Sequence, residues 1–274
     1  MGRLDGKVAL ITGVARGQGR SHALRLAADG AQIVGLDLCA SIDTVTYPLA
    51  TPDDLAETVR AVEELDQRIV ARRADVRDRA ALAQVVKEGV AEFGRIDIVL
   101  ANAGIIPGFD EVAADPRSFD DVVEVNLTGV YNTIEAALPQ LLEQGQGGSI
   151  VITSSVAGLH GRLTVLGNAG LIGYTAAKHG VIGLMRAYAG LLAEHSIRVN
   201  CVNPTGVSTP MLLHERWAGF AEENPEIVAK LANAMPVELI EAIDISNAIA
   251  WLCSDEARYI TGIALPVDAG FLLR

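Results

Sequence analysis

Short, nearly unbroken apolar runs alternate along this chain with longer stretches in which apolar residues return every three or four positions. The runs fall at 7–12, 32–36, 69–73, 97–101, 149–153, 198–203 and 263–267. The longer stretches fall at 17–29, 52–66, 78–93, 116–144, 174–195 and 244–254. Successive strand residues point to opposite faces, so a run such as Val8-Ala9-Leu10-Ile11 needs cover on both sides. The three-to-four spacing is that of a helix with one buried stripe. Alternating β and α elements predict an α/β fold, a doubly wound parallel sheet whose right-handed crossovers put helices on both faces. Two connections break the rhythm, 38–51 after the second strand and 204–236 after the sixth. Connections beyond about 12–15 residues are usually functional or disordered. We therefore expect one domain over 1–274, with 38–51 an insert and 204–236 a substrate-loop region.

The 274 residues are 50% hydrophobic and only 4% aromatic, which suits a core of Ala, Val, Leu and Ile. A formal charge of −12 argues against a nucleic-acid groove. Cys39, Cys201 and Cys253 are scattered and odd in number, neither a disulfide framework nor a zinc pattern, so a reduced cytoplasmic setting is expected. The N-terminal residues run straight into a strand-like segment without the features of a signal peptide, and Gly6 stands where a myristoylation signal wants Ser or Thr. No apolar run is long enough to span a membrane. His22, His160, His179, His195 and His214 show no metal-ligand spacing, and no metal is expected. A Gly-x-Ser-x-Gly elbow is absent, so a hydrolase triad lacks its usual turn.

Thr12-Gly13-Val14-Ala15-Arg16-Gly17-Gln18-Gly19 follows the first strand and opens the first helix. Gly13, Gly17 and Gly19 in that context make a turn whose backbone N–H groups can reach a pyrophosphate. Taken alone, the pattern is also that of an ordinary tight turn. Asp37 closes the second strand, where a carboxylate can accept from both ribose hydroxyls of NAD. It would repel a 2′-phosphate by about 4 kcal/mol per charge pair at 4 Å in a dielectric of about 20. Arg16 points the other way, since a guanidinium in the turn can meet an NADP phosphate. Leu38 supplies no second cation, so NAD is the expected cofactor. Asp75-Val76 and Asn102-Ala103-Gly104 end the third and fourth strands, at the edge where open α/β sheets bind ligands. Asp75 can receive an adenine amino group, and Gly104 lets the backbone approach the cofactor.

Tyr174 and Lys178 lie one helical turn apart, so phenol and ammonium share a face. A free phenol has a pKa near 10. A cation held close favours the phenolate and lowers that value, and an oxidised nicotinamide would add a second positive charge. The bland reading is a surface Tyr and Lys on an amphipathic helix. Ser154 and Ser155 follow the fifth strand, where a hydroxyl can hold a substrate oxygen while Tyr174 moves its proton. Asn126 sits inside a helical stretch, where an amide costs helix propensity and calls for an internal partner. His179 projects about 100° away from Lys178 and is no direct partner.

Thr12-Gly13-x-x-x-Gly17-x-Gly19, Asn102-Ala103-Gly104, Asn126, Ser155, Tyr174-x-x-x-Lys178 and Asn203-Pro204 resemble, in order, the motifs of the short-chain dehydrogenase/reductase family over nearly the whole chain. The resemblance implies a seven-stranded Rossmann fold and an Asn126-Ser155-Tyr174-Lys178 tetrad. In it Tyr174 is the acid/base, and Lys178 lowers its pKa and binds the nicotinamide ribose. Ser155, the residue directly before Val156-Ala157-Gly158, orients substrate, and Asn126 holds a relay water. Pro204, Gly206, Val207 and Thr209 would border the nicotinamide. Gln18, the insert from Asp37 to Thr51 and Pro204-Thr205-Gly206-Val207-Ser208-Thr209-Pro210 look like the carveol-dehydrogenase-like branch. That branch is associated with tightly retained NAD that the redox carrier mycofactocin re-oxidises in place. The insert would then be a lid over the adenosine, and the assembly a homotetramer. Thr205 departs from the glycine usual in the family, and the segment between Ser155 and Tyr174 is longer than usual.

Met211, Leu212, Leu213, Trp217 and Phe220, with Leu163, Val165, Leu166 and Leu171 near the serine loop, suggest an apolar substrate wall. The expected activity is interconversion of a hydrophobic secondary alcohol, terpenoid or otherwise alicyclic, and its ketone. The alternatives are an NADPH-dependent ketoacyl or carbonyl reductase and a non-catalytic NAD-binding regulator.

Overall fold

In the computed structural model, residues 2–108, 111–161 and 167–274 are described. Strands β1 (Val8–Thr12), β2 (Gln32–Asp37), β3 (Ile69–Arg73), β4 (Ile98–Ala101), β5 (Gly148–Thr153) and β6 (Ile197–Pro204) alternate with helices α1 (Gly17–Ala28), α2 (Pro52–Glu63), α3 (Arg79–Phe93), α4 (Pro116–Val123), α5 (Gly129–Gln144) and α6 (Ala169–Leu192). A two-residue strand β7 (Val207–Ser208), helices α7 (Glu215–Glu223) and α8 (Pro225–Lys230), strand β8 (Ile240–Glu241), helix α9 (Ala242–Cys253) and strand β9 (Ala264–Val267) complete the order. The seven-stranded sheet runs β3-β2-β1-β4-β5-β6-β9, parallel throughout. This is the expected single-domain Rossmann architecture. The strand order reverses between β1 and β4, and a crevice opens there at the strand ends.

The continuous apolar runs are explained by two cores. Leu10, Val34, Val99 and Ile152 pack toward α3, α5 and α6. Their neighbours Ile11, Ile33, Ile98 and Val151 pack toward α1, α2 and α9. Helix starts follow local chemistry. Thr51 and Asp54 form a reciprocal capping box on α2 with Pro52 in its first turn, and Asp78 caps α3.

Three expectations change. The helix at 116–144 is interrupted by a π-turn, Glu124–Thr128, which carries Asn126. The helix expected to begin at Tyr174 begins at Ala169, so part of the lengthened Ser155–Tyr174 segment is helical. The 204–236 connection is not bare loop. Val207 and Ser208 pair with Ile240 and Glu241, and α7 and α8 pack on each other with no residue fully buried. Segments that short carry too few turns to show a period. Among the described residues, no helix is long and apolar enough to cross a membrane.

Candidate active site

The crevice is built first by glycines. A Cβ on Gly19 would lie 1.9 Å from the Gly13 carbonyl oxygen, and one on Gly13 would lie 2.9 Å from Ala103 Cα. Gly13 also adopts φ +69°, so α1 can press against the end of β1 only with these residues. Arg16 is the N-cap of α1 but offers no side-chain cap, which leaves first-turn N–H groups open for an anion. Gly13, Gly17, Gln18 and Gly19 line the crevice, and the buried Gln18 Oε1 has no hydrogen-bond partner among the described residues.

Asp37 is fixed by two backbone donors, Ala15 N to Oδ2 and Cys39 N to Oδ1, each at 3.1 Å. Its remaining lone pairs face a crevice that Leu38, Asp75, Val76, Asn102, Ala103 and Gly104 also line. Arg16 lines the crevice too. Its guanidinium donates to the Pro48 carbonyl, joining the turn to the insert. Asp75 is likewise engaged, taking hydrogen bonds from Arg77 at 2.7 and 2.9 Å. Burial alone would raise the Asp75 carboxyl, but these bonds hold it below the usual carboxylate range. Asn102 is a bracket. Its Nδ2 donates to Thr12 O at 3.0 Å and its Oδ1 accepts from Thr153 Oγ1 at 3.3 Å. That stitches the ends of β1, β4 and β5, and Thr12 Oγ1 adds to it by accepting the Asn102 and Ala103 N–H groups at 3.1 and 3.0 Å.

The insert covers this crevice. Thr44 Oγ1 donates to Asp121 Oδ2 at 2.6 Å, anchoring it to α4. Tyr47 is 4% exposed, accepts the Ile106 N–H at 3.4 Å, and packs with Leu171 in a small cluster that touches Tyr174. Cys39 is buried in the same segment, and burial with the nearby Asp37 charge pushes its thiol up to about 11. A dinucleotide fits what these residues offer: uncapped N–H groups, a carboxylate at the β2 end, and an apolar cover.

Gln18, Gly104, Ile105, Thr209 and Met211 line both this crevice and an adjoining cavity of about 500 Å³. Asn126, Ser155, Tyr174 and Lys178 all line that second cavity, as do Pro204, Gly206 and Val207. The tetrad is thus assembled from a π-turn, a strand end and one helix face. Asn126 is fully buried. Its Oδ1 accepts from Ile105 N at 2.9 Å and its Nδ2 donates to Ile105 O at 2.7 Å, the internal partnership its position demanded. A Cβ on Gly104 would lie 2.8 Å from that Oδ1. Ser154 and Ser155 separate cleanly. Ser154 Oγ is spent on the Lys178 carbonyl at 2.9 Å, while Ser155 hydrogen-bonds Tyr174.

Lys178 is buried and donates to Thr153 O at 2.7 Å. Burial pushes its ammonium down to about 8. Its Nζ lies 5.6 Å from the centre of the Tyr174 ring. The expected lowering of Tyr174 by Lys178 is not what these side chains alone produce. Burial raises the Tyr174 phenol, and the Ser155 hydrogen bond offsets only part of that. The physical reason is desolvation: a buried phenol resists becoming a charged phenolate.

The apolar wall is partly as expected. Met211, Leu212 and Trp217 line the cavity. Leu213 is 59% exposed, Phe220 stacks on Trp217 outside the lining, and Leu171 is buried against Tyr47 and Ile106. Leu163, Val165 and Leu166 lie outside the described residues. Sequence reading missed Asn233. Its Oδ1 accepts from Thr205 Oγ1 at 2.9 Å, and its Nδ2 donates to the Val237 and Glu238 carbonyls. The departure at Thr205 was the visible sign of this link.

A family model described as enoyl-(acyl carrier protein) reductase matches residues 13–272. An uncharacterized oxidoreductase of Mycobacterium tuberculosis is 55% identical, the match covering 98% of this chain and 97% of the relative. A (−)-trans-carveol dehydrogenase of Rhodococcus erythropolis is 45% identical over the full length of both chains (100% of each). The crystal structure of a carveol dehydrogenase from Mycobacterium avium in complex with NAD superposes with a TM-score of 0.92, at 47% identity and 100% coverage of both chains. The chain belongs to the short-chain dehydrogenase/reductase family and is an oxidoreductase of it.

Proposed function

We propose that this protein is an NAD-dependent dehydrogenase that interconverts a hydrophobic secondary alcohol and its ketone. The observation that carries it is the single cavity in which Asn126, Ser155, Tyr174 and Lys178 meet beneath an apolar wall. NAD, when bound, accepts the hydride from the carbinol carbon and brings a positive charge beside Tyr174. Tyr174 takes the hydroxyl proton, and Ser155 holds the substrate oxygen through the change from alcohol to carbonyl. Lys178 holds the ribose end of the site with the cation that Thr153 positions. Asn126, tied at both ends to Ile105, holds the relay that returns the proton to solvent. Asp37 selects NAD over NADP. Arg16, the residue that favoured the phosphate, borders the same crevice and donates to Pro48.

The substrate we assign is an alicyclic, carveol-like alcohol, and the re-oxidant mycofactocin acting on retained NAD. The covered crevice supports retention. Exposed Phe119 on α4, Leu142 on α5, and Ile172 and Leu191 on α6 support a homotetramer. Free, buried Cys39, Cys201 and Cys253 support a cytoplasmic setting.

Protein purified without added nucleotide, then denatured, should release stoichiometric NAD or NADH. The Tyr174→Phe protein should release the same and yet fail to oxidise carveol in a single turnover. Release of NADP, or retention of most of the activity by Tyr174→Phe, overturns the reading.

A further inference from the structure

The cover over the first crevice and the lid over the second cavity touch through two rings. Tyr47 and His214 stack with centroids 5.3 Å apart and planes inclined by 14°. Tyr47 belongs to the cover: it lines the crevice, and the carbonyl of the next residue, Pro48, takes the Arg16 hydrogen bond from the glycine turn. His214 belongs to the lid. Its Nδ1 accepts the Trp217 N–H at 3.2 Å and so caps α7, and Trp217 walls the substrate cavity. His214 itself lines neither space. The tyrosine is deeply buried although it sits in a loop, and burial pushes its phenol up to about 12. One ring face is kept dry by the histidine, and the hydroxyl is anchored by Ile106 N.

We propose that His214 is a positioning residue for the dinucleotide. By stacking on Tyr47 it clasps the insert to the substrate lid, so that the nucleotide leaves only when the clasp parts and the lid lifts with it. This rests on the reading of the crevice as an NAD seat. Two properties of His214 are separable. The ring makes the stack, and the acceptor nitrogen makes the helix cap. His214→Asn keeps a good capping side chain and removes the ring. His214→Phe keeps the ring and removes the cap.

The test loads each protein with isotopically labelled NAD, adds a large excess of unlabelled NAD, and measures by mass spectrometry the label still bound after timed denaturation. An aromatic pair at such a contact corresponds to a change of roughly twofold to tenfold, so His214→Asn should release label faster by that factor. His214→Phe should stay within about twofold of wild type. Equal release by His214→Asn and wild type overturns the clasp. So does faster release by His214→Phe than by His214→Asn, because the cap would then be what matters. Wild type that neither carries nucleotide as purified nor takes up labelled NAD after its nucleotide is stripped overturns the nucleotide seat itself, and the clasp with it.

Discussion

Lys178→Met should make the protein more stable at neutral pH while it destroys turnover. Lys178 is 4% exposed, its ammonium has the Thr153 carbonyl as its hydrogen-bond partner, and no carboxylate among the described residues pairs with it. Burial lowers its pKa from 10.5 to about 8. At about 1.4 kcal/mol per unit, holding the charged form in place costs roughly 3 kcal/mol. The sign follows from proton binding. Between pH 8 and 10.5 the unfolded chain keeps a proton that the folded chain has lost, so stability rises with pH across that window. Below pH 8 both states are charged and the cost is present in full. Methionine removes the cost and forfeits one hydrogen bond worth about 1 kcal/mol, a net gain of about 2 kcal/mol at pH 7. Above about pH 10 wild type should be the more stable by about 1 kcal/mol. Urea unfolding at pH 7, 8.5 and 10, at one protomer concentration and with nucleotide removed during refolding, measures the difference. A variant less stable than wild type at pH 7, or a difference independent of pH, refutes the reasoning. Such a trade of stability for a poised charge is expected where chemistry needs it.

Ser155→Ala should lower single-turnover hydride transfer by about 10²–10³-fold. Ser154→Ala should cost about 1 kcal/mol in thermal unfolding and leave turnover within a few-fold, because among the described residues its hydroxyl serves the Lys178 carbonyl. Gly104→Ala brings a methyl 2.8 Å from Asn126 Oδ1. Strain on the paired bonds to Ile105 should cost about 1–3 kcal/mol in denaturant unfolding, and an unchanged midpoint would contradict the close approach. Asp37→Asn keeps the shape and removes the charge, so the ratio of kcat/KM for NAD over NADP should fall at least about tenfold. A constant ratio would show that selectivity lies elsewhere.

Much of this was legible one element at a time, because the signals are local. The two-sided apolar runs required covered strands, and both cores are lined by alternate residues of those runs. The glycine turn was readable because a missing Cβ is a property of the residue itself. Tyr174 and Lys178 were readable because a four-residue spacing on a helix is geometry the chain carries by itself. Contacts between distant segments were decided only by the fold. The resemblance chose Ser155 over Ser154 by the Val156-Ala157-Gly158 after it, but only the fold decided which hydroxyl faces the Lys178 carbonyl and which faces Tyr174. That Arg16, a crevice residue, also ties the glycine turn to Pro48 on the insert was visible only in the fold. The direction of the Tyr174 shift depended on burial, which only the packing around α6 supplies. Tyr47 and His214, far apart in the chain, became partners for the same reason. The sequence determined which chemistries were present and on which elements. Tertiary structure decided which were free to act, because hydrogen bonds and burial are settled between segments that no local pattern connects.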